Sequence, residues 1–293
     1  MIDYQLLSPE QDVEELYPYR RVWRTLFWEM LAILLIMGGI FFGVQFGFLS
    51  PQIPRSVEIA LCGIPILIFY IFSVRREALA PQPREGLMLV LALSLVFANG
   101  VSYPLITRVI TPETWLAEGG FFSRIIGYML TLGMLAAFSI YVVIRYTVWP
   151  HRFRVRVDGI AYAVPAALGY ATVLNVQLVL SDFPALDAIA LRILVNTFVY
   201  LAIGGIIGYF LSELALGEVQ AFWLSLGLVI AAFLNALFVA FRRIAVVSGL
   251  SSRDIGPFFL AIGFSAVILL AVSFLMENAA EREAAQRGIR RIR

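Results

Sequence analysis

Eight apolar runs, each long enough to cross a bilayer, restrict this chain more than any other feature. They lie near residues 25–48, 57–74, 86–107, 121–149, 159–180, 187–212, 219–241 and 255–276. Crossing about 30 Å of hydrocarbon takes roughly 20 helical residues. A lipid-exposed backbone must also satisfy its own hydrogen bonds, so the expected fold is an all-α polytopic bundle of about eight transmembrane helices. The connections are short, which predicts one bundle over 23–277 rather than two domains. An acidic segment, 1–22, precedes it, and a basic tail, 278–293, follows it. The opening SPEQDVEEL is not a basic stretch leading to an apolar core, so targeting is expected to come from the first helix itself.

Charge narrows the chemistry. Of 293 residues, 61% are hydrophobic and 14% charged, and all 22 basic residues are arginine. Without lysine, Schiff-base chemistry is excluded. A net charge of +2, with arginines spread between apolar runs, argues against a nucleic acid partner. Arginines cluster before the first run (Arg20, Arg21, Arg24), between the second and third (Arg75, Arg76, Arg84), between the fourth and fifth (Arg152, Arg154, Arg156) and in the tail. The positive-inside rule then makes these faces and both termini cytoplasmic, and the expected location is the bacterial cytoplasmic membrane. One hairpin runs against the rule. Arg242, Arg243 and Arg253 fall on the side assigned as external, while the loop SELALGE on the internal side has none. The single cysteine, Cys62, lies in an apolar run and reads as a packing residue.

Small and polar residues mark where helices should meet. Gly39, Gly43 and Gly47 recur one turn apart in the first run, and Gly204 and Gly208 repeat that spacing in the sixth. Both series allow close backbone approach. Asn99, Gly100 and Pro104 predict a kink in the third helix, and Pro112 and Trp115 an interfacial segment. Glu29, Glu58 and Glu213 lie near run ends, where solvated positions are expected, and Arg145 can snorkel towards the basic loop beyond it. Asp158 and Arg192 each open a helix whose later positions are small residues or amides. Asn175, Asn196 and Asn235 are expected to bond between helices. Asp158, Asn175, Arg192, Asn196 and Asn235 are therefore the candidate binding residues.

With these residues in place, the chain resembles the PrsW family of intramembrane metalloproteases, within the group that includes the CAAX-processing proteases. Asp158, Gly159 and Tyr162, followed by Gly169, Tyr170, Ala171 and Asn175, are similar to that family's first motif. The segment from Arg192 to Gly208 and Tyr209 is similar to the next, and AAFLNALFVAF at 231–241 to the last. The resemblance covers about 120–241. It implies a membrane helical bundle with a zinc-dependent protease site.

The reactive groups are replaced at the matching positions. Leu174 stands where the resemblance implies a glutamate, Tyr200 and Asn235 where it implies histidines, and Val239 where it implies an asparagine. The fourth run, GYMLTLGMLAAFSIYVV, lacks the paired glutamates and the lysine. A catalytic zinc takes about three protein ligands and an open position for water. The only histidine, His151, sits among arginines in WPHRFRVRV. No catalytic residue, metal or cofactor is therefore expected. The reading is a degenerate member that binds another membrane protein, a larger complex or lipid, or serves as a structural subunit of a respiratory or photosynthetic assembly. An active zinc protease with displaced ligands and a transporter are the rival expectations, the latter calling for a polar path and an inverted repeat.

Overall fold

The computed structural model describes residues 19–79, 83–116, 119–182, 184–217, 219–220, 222–247 and 255–286. Most of the acidic segment, the end of the basic tail and Arg253 lie outside them. The described residues form eight long helices and no strand. These are α1 Tyr19–Gln45, α2 Arg55–Glu77, α3 Leu87–Trp115, α4 Phe121–Thr147, α5 Val157–Asp182, α6 Leu186–Leu216, α7 Phe222–Val247 and α8 Ile255–Gln286. Each falls on one apolar run and is long and apolar enough to cross a membrane. The chain is an integral membrane protein.

The bundle is built around the α5–α6 hairpin. In α5 and α6, 72% and 83% of the spanning residues are buried inside the protein, against 28% in α1, α2, α3 and α8. Helices that are apolar or small on every side suit such a central position. α3 packs on α5, α1 and α8 on α6, and α7 bridges α6 and α4.

Glycine fixes the closest of these contacts. A Cβ on Gly159 would lie 2.1 Å from the Gly208 carbonyl oxygen, and one on Gly208 would lie 2.4 Å from that of Gly159. The two backbones therefore touch. One turn earlier on α6, a Cβ on Gly204 would lie 2.8 Å from Ala167 Cβ and 3.1 Å from the Ala163 carbonyl. Gly133 makes the equivalent approach between α4 and α7, where a Cβ would lie 2.3 Å from the Ala232 carbonyl.

The glycines of α1 do something else. Gly39 has no heavy atom within 4 Å of its Cβ direction, and Gly43 meets only Leu49, in the bend just beyond the end of the same helix. Gly47 is not a packing residue; it has φ +78 and ends the helix. There the Phe48 N–H donates to Gly43 O (2.8 Å) and the Gly47 N–H to Val44 O (3.0 Å), the Schellman arrangement that left-handed glycine permits. Spacing alone does not separate a contact seam from a cap.

Two other expectations change. The predicted kink in α3 takes the form of widened π turns at Ala98–Ser102 and Leu105–Ile110, on either side of Pro104. Glu29, Glu58 and Glu213 are not solvated, being 3%, 2% and 8% exposed. Glu29 accepts a hydrogen bond from Ser73 and Glu213 one from Arg156. For Glu29 and Glu213, Ser73 on α2 and Arg156 in the α4–α5 connection replace water, which a reading of one helix at a time does not foresee.

Replacing Gly208 by leucine should therefore destabilise the bundle by about 3 kcal/mol, the upper end of overpacking costs. Gly39→Leu should change stability by less than about 0.5 kcal/mol. Thermal unfolding in detergent measures both, and equal midpoints for the two variants would refute the proposed backbone contact.

Candidate functional site

Polar groups gather at the two ends of the α5–α6 hairpin. At the first end, Asp158 is 1% exposed in the opening turn of α5. Its carboxylate accepts from Arg84 Nε at 2.6 Å and from the backbone N–H groups of Arg154 (2.7 Å) and Val155 (2.9 Å). Arg84 also pairs with Glu77 at 3.1 Å. One acid thus ties the α2–α3 and α4–α5 connections to the start of α5, where the helix dipole favours negative charge. Tyr162, one turn on, donates to the Glu85 carbonyl (3.1 Å) and stacks on Phe153 at 5.9 Å.

A second pair closes the same end. Arg156 Nε lies 2.7 Å from Glu213, near the end of α6. Trp149 Nε1 donates to the Leu211 carbonyl (3.1 Å), and the Arg145 guanidinium covers the Trp149 ring at 3.8 Å. Arg145 is thus held by an aromatic face.

The opposite end holds a cavity of about 660 Å³ between α3, α4, α5, α6 and α7. Leu174, Arg192, Asn196, Tyr200, Asn235 and Val239 all line it. Four of the positions where the PrsW resemblance would place reactive groups, on three different helices, therefore fall on one chamber. Tyr170 forms its floor with Tyr200, their rings 5.0 Å apart and tilted by 59°. The mouth is marked by Glu113, Ser181 and Arg242, at the ends of α3, α5 and α7.

The candidate binding residues divide between the two ends. Asn196 Nδ2 donates to Asn175 Oδ1 at 2.7 Å, joining α6 to α5 behind the cavity wall. Asp158 does not belong with them. It lies 17 residues before Asn175 on one helix, roughly 25 Å away at 1.5 Å per residue, and its carboxylate is used in the clamp. Glu113, Tyr103 and Tyr128 line the cavity without having been singled out. The signal that could have found them is position, because the ends of α3 and α5 and the start of α4 must share one side of an antiparallel bundle.

The lining donates more than it accepts. Asn235 is 2% exposed, and its Nδ2 has no hydrogen-bond partner among the described residues. Arg192 Nε has none either. Among the described residues, no three of His, Cys, Asp and Glu come together. His151 is exposed in the α4–α5 connection at the clamp end. Leucine offers a metal no lone pair, and a phenol and an amide are poor substitutes for imidazole and carboxylate. The cavity is instead suited to a molecule that accepts hydrogen bonds.

No family model, no curated protein and no solved structure matches this chain in the three comparisons with known proteins.

Removing the clamp acid leaves Arg84 with less compensation in a buried setting. Asp158→Ala should cost about 3–5 kcal/mol, and Tyr162→Phe about 1 kcal/mol for the lost hydrogen bond. If thermal unfolding shows Asp158→Ala within 1 kcal/mol of the parent, Asp158 is not the clamp's centre.

Proposed function

We propose that this chain is a catalytically inactive PrsW-like membrane protein that serves as a binding or structural subunit for another membrane protein or complex. The observation that carries the reading is the convergence of Leu174, Tyr200, Asn235 and Val239 on one cavity. The resemblance would place a metal and its general base there. These side chains cannot hold and activate a water, yet they still line a chamber of the size that takes a ligand. A fold can keep such a chamber after its chemistry is lost, because function lives in the site and the fold only carries it.

The proposed location is the bacterial cytoplasmic membrane, with both termini cytoplasmic. Eight crossings return the chain to the side on which it began, and the cavity mouth then faces outwards. Leu178, on the cavity wall, and Phe122, 77% exposed on α4, give contrasting positions for a photo-crosslinker. The Leu178 probe is expected to trap one defined membrane protein at stoichiometric yield. Phe122 should trap only lipid, and Leu174→Trp, which fills the chamber, should abolish the protein adduct. Chelator-sensitive peptide hydrolysis by pure protein carrying one zinc would overturn the reading.

Sidedness has its own test. In a Cys62→Ser background, a cysteine replacing Ser181 should react with an impermeant thiol reagent added to intact cells. Labelling only after lysis would reverse the proposed orientation.

A further inference from the structure

Among the described residues, Arg192 Nε and Asn235 Nδ2 are buried donors on cavity-lining side chains with no hydrogen-bond partner. Arg192 enters from α6, and its buried Nε has no hydrogen-bond acceptor among the described residues. It forms no ion pair within them either. Asp182 and Glu113 are near enough to influence its charge, but both are exposed at the mouth. Asn235 enters from α7, its buried Nδ2 turned to Tyr200 without a full hydrogen bond among the described residues. Tyr200 also lies close to the Arg192 charge, and Arg242 adds a second guanidinium to the lining.

The buried guanidinium groups of Arg84 and Arg156 are each answered by a carboxylate, Asp158 and Glu213. A guanidinium held within a membrane protein is costly unless an anion answers it. It also presents a planar fork that matches phosphate oxygens. A carboxylate has two oxygens in one plane with its carbon chain, whereas the non-bridging oxygens of a phosphate monoester or diester project tetrahedrally from phosphorus and can meet donors arriving from different helices.

We propose that the cavity binds a phosphate-type anionic group, with its oxygens held by the Arg192 guanidinium beside Asn235. The apolar remainder of the ligand lies along Leu174, Val199 and Phe238, which line the same chamber. This inference concerns the cavity alone and does not rest on the presence of a protein partner. The phosphate reaches the site either on the headgroup of an anionic phospholipid or on a small soluble phosphate ester.

The test uses the full chain purified in neutral detergent, with native mass spectrometry and thermal shift as readouts. Phosphatidylglycerol, phosphatidylcholine, glycerol 3-phosphate and inorganic phosphate are compared. Preference for phosphatidylglycerol over phosphatidylcholine, with no effect of the soluble phosphates, assigns a lipid headgroup. Stabilisation by glycerol 3-phosphate, with displacement of phosphatidylglycerol, assigns a soluble ester. In either case Arg192→Gln should weaken binding at least tenfold and Asn235→Leu severalfold. Arg24→Gln, on α1, should leave it unchanged. If Arg192→Gln does not fold, Arg192→Lys keeps the charge without the fork and should still lose affinity, and the lipid preference of the parent protein needs no variant. Equal retention of both lipids with no soluble-phosphate effect, or unchanged affinity in a folded Arg192 variant, overturns the proposal.

Discussion

Two peptide backbones in direct contact, at Gly159 and Gly208, set the position of everything else in this bundle. With no hydrophobic force between helices in lipid, close approach of the chains has to supply the attraction. Glycine provides it at the end of the hairpin where Asp158 and Arg156 also tie the connecting loops. Moving along α5 from that end, the contact residues grow in size. Gly159 meets Gly208, and Ala163 and Ala167 meet Gly204. Further on come the ring pair Tyr170 and Tyr200 and the amide pair Asn175 and Asn196. Because interaxial distance follows the side chains at the contact, this gradient pins the hairpin at one end and leaves room at the other. The cavity lies where the large residues are.

The same clamp explains a discrepancy in the arginine pattern. The loop SELALGE lacks the arginine that the positive-inside rule expects. Its Glu213 is answered by Arg156, from the neighbouring α4–α5 connection. Arg84, counted as a cytoplasmic charge in the sequence, is bound by Asp158 and Glu77. Arginine at this end therefore neutralises buried acids, a role that counting residues loop by loop overlooks.

The helices were legible because length and apolarity decide whether a segment can span a bilayer, and no long-range contact is needed for that. The Gly204 and Gly208 seam was legible for a related reason, since those residues lie in the helix buried on most sides. Gly39 and Gly47 share the spacing but not the surroundings, and only the fold distinguishes a seam from open surface or a cap. Glu29 and Glu213 were misplaced because their burial depends on Ser73 and Arg156, 44 and 57 positions away in sequence. The cavity positions were individually visible as departures from a motif. Their meeting with Arg192, and the separate service of Asp158 at the far end, depend on which ends of antiparallel helices share a side.

The polarity of the cavity bears most directly on what it can hold. A hydrolytic metal site consists of lone pairs converging on a cation, with an acid or base beside it to move a proton. Here the lining carries a guanidinium and an amide whose buried Nε and Nδ2 have no hydrogen-bond partner among the described residues, set among apolar and phenolic walls. Such a lining repels the cation that the PrsW resemblance would place there and attracts an electron-rich ligand. A buried arginine beside such a chamber is most stable when an acceptor from outside answers it. The chemistry of the lining therefore favours an anion over a metal ion.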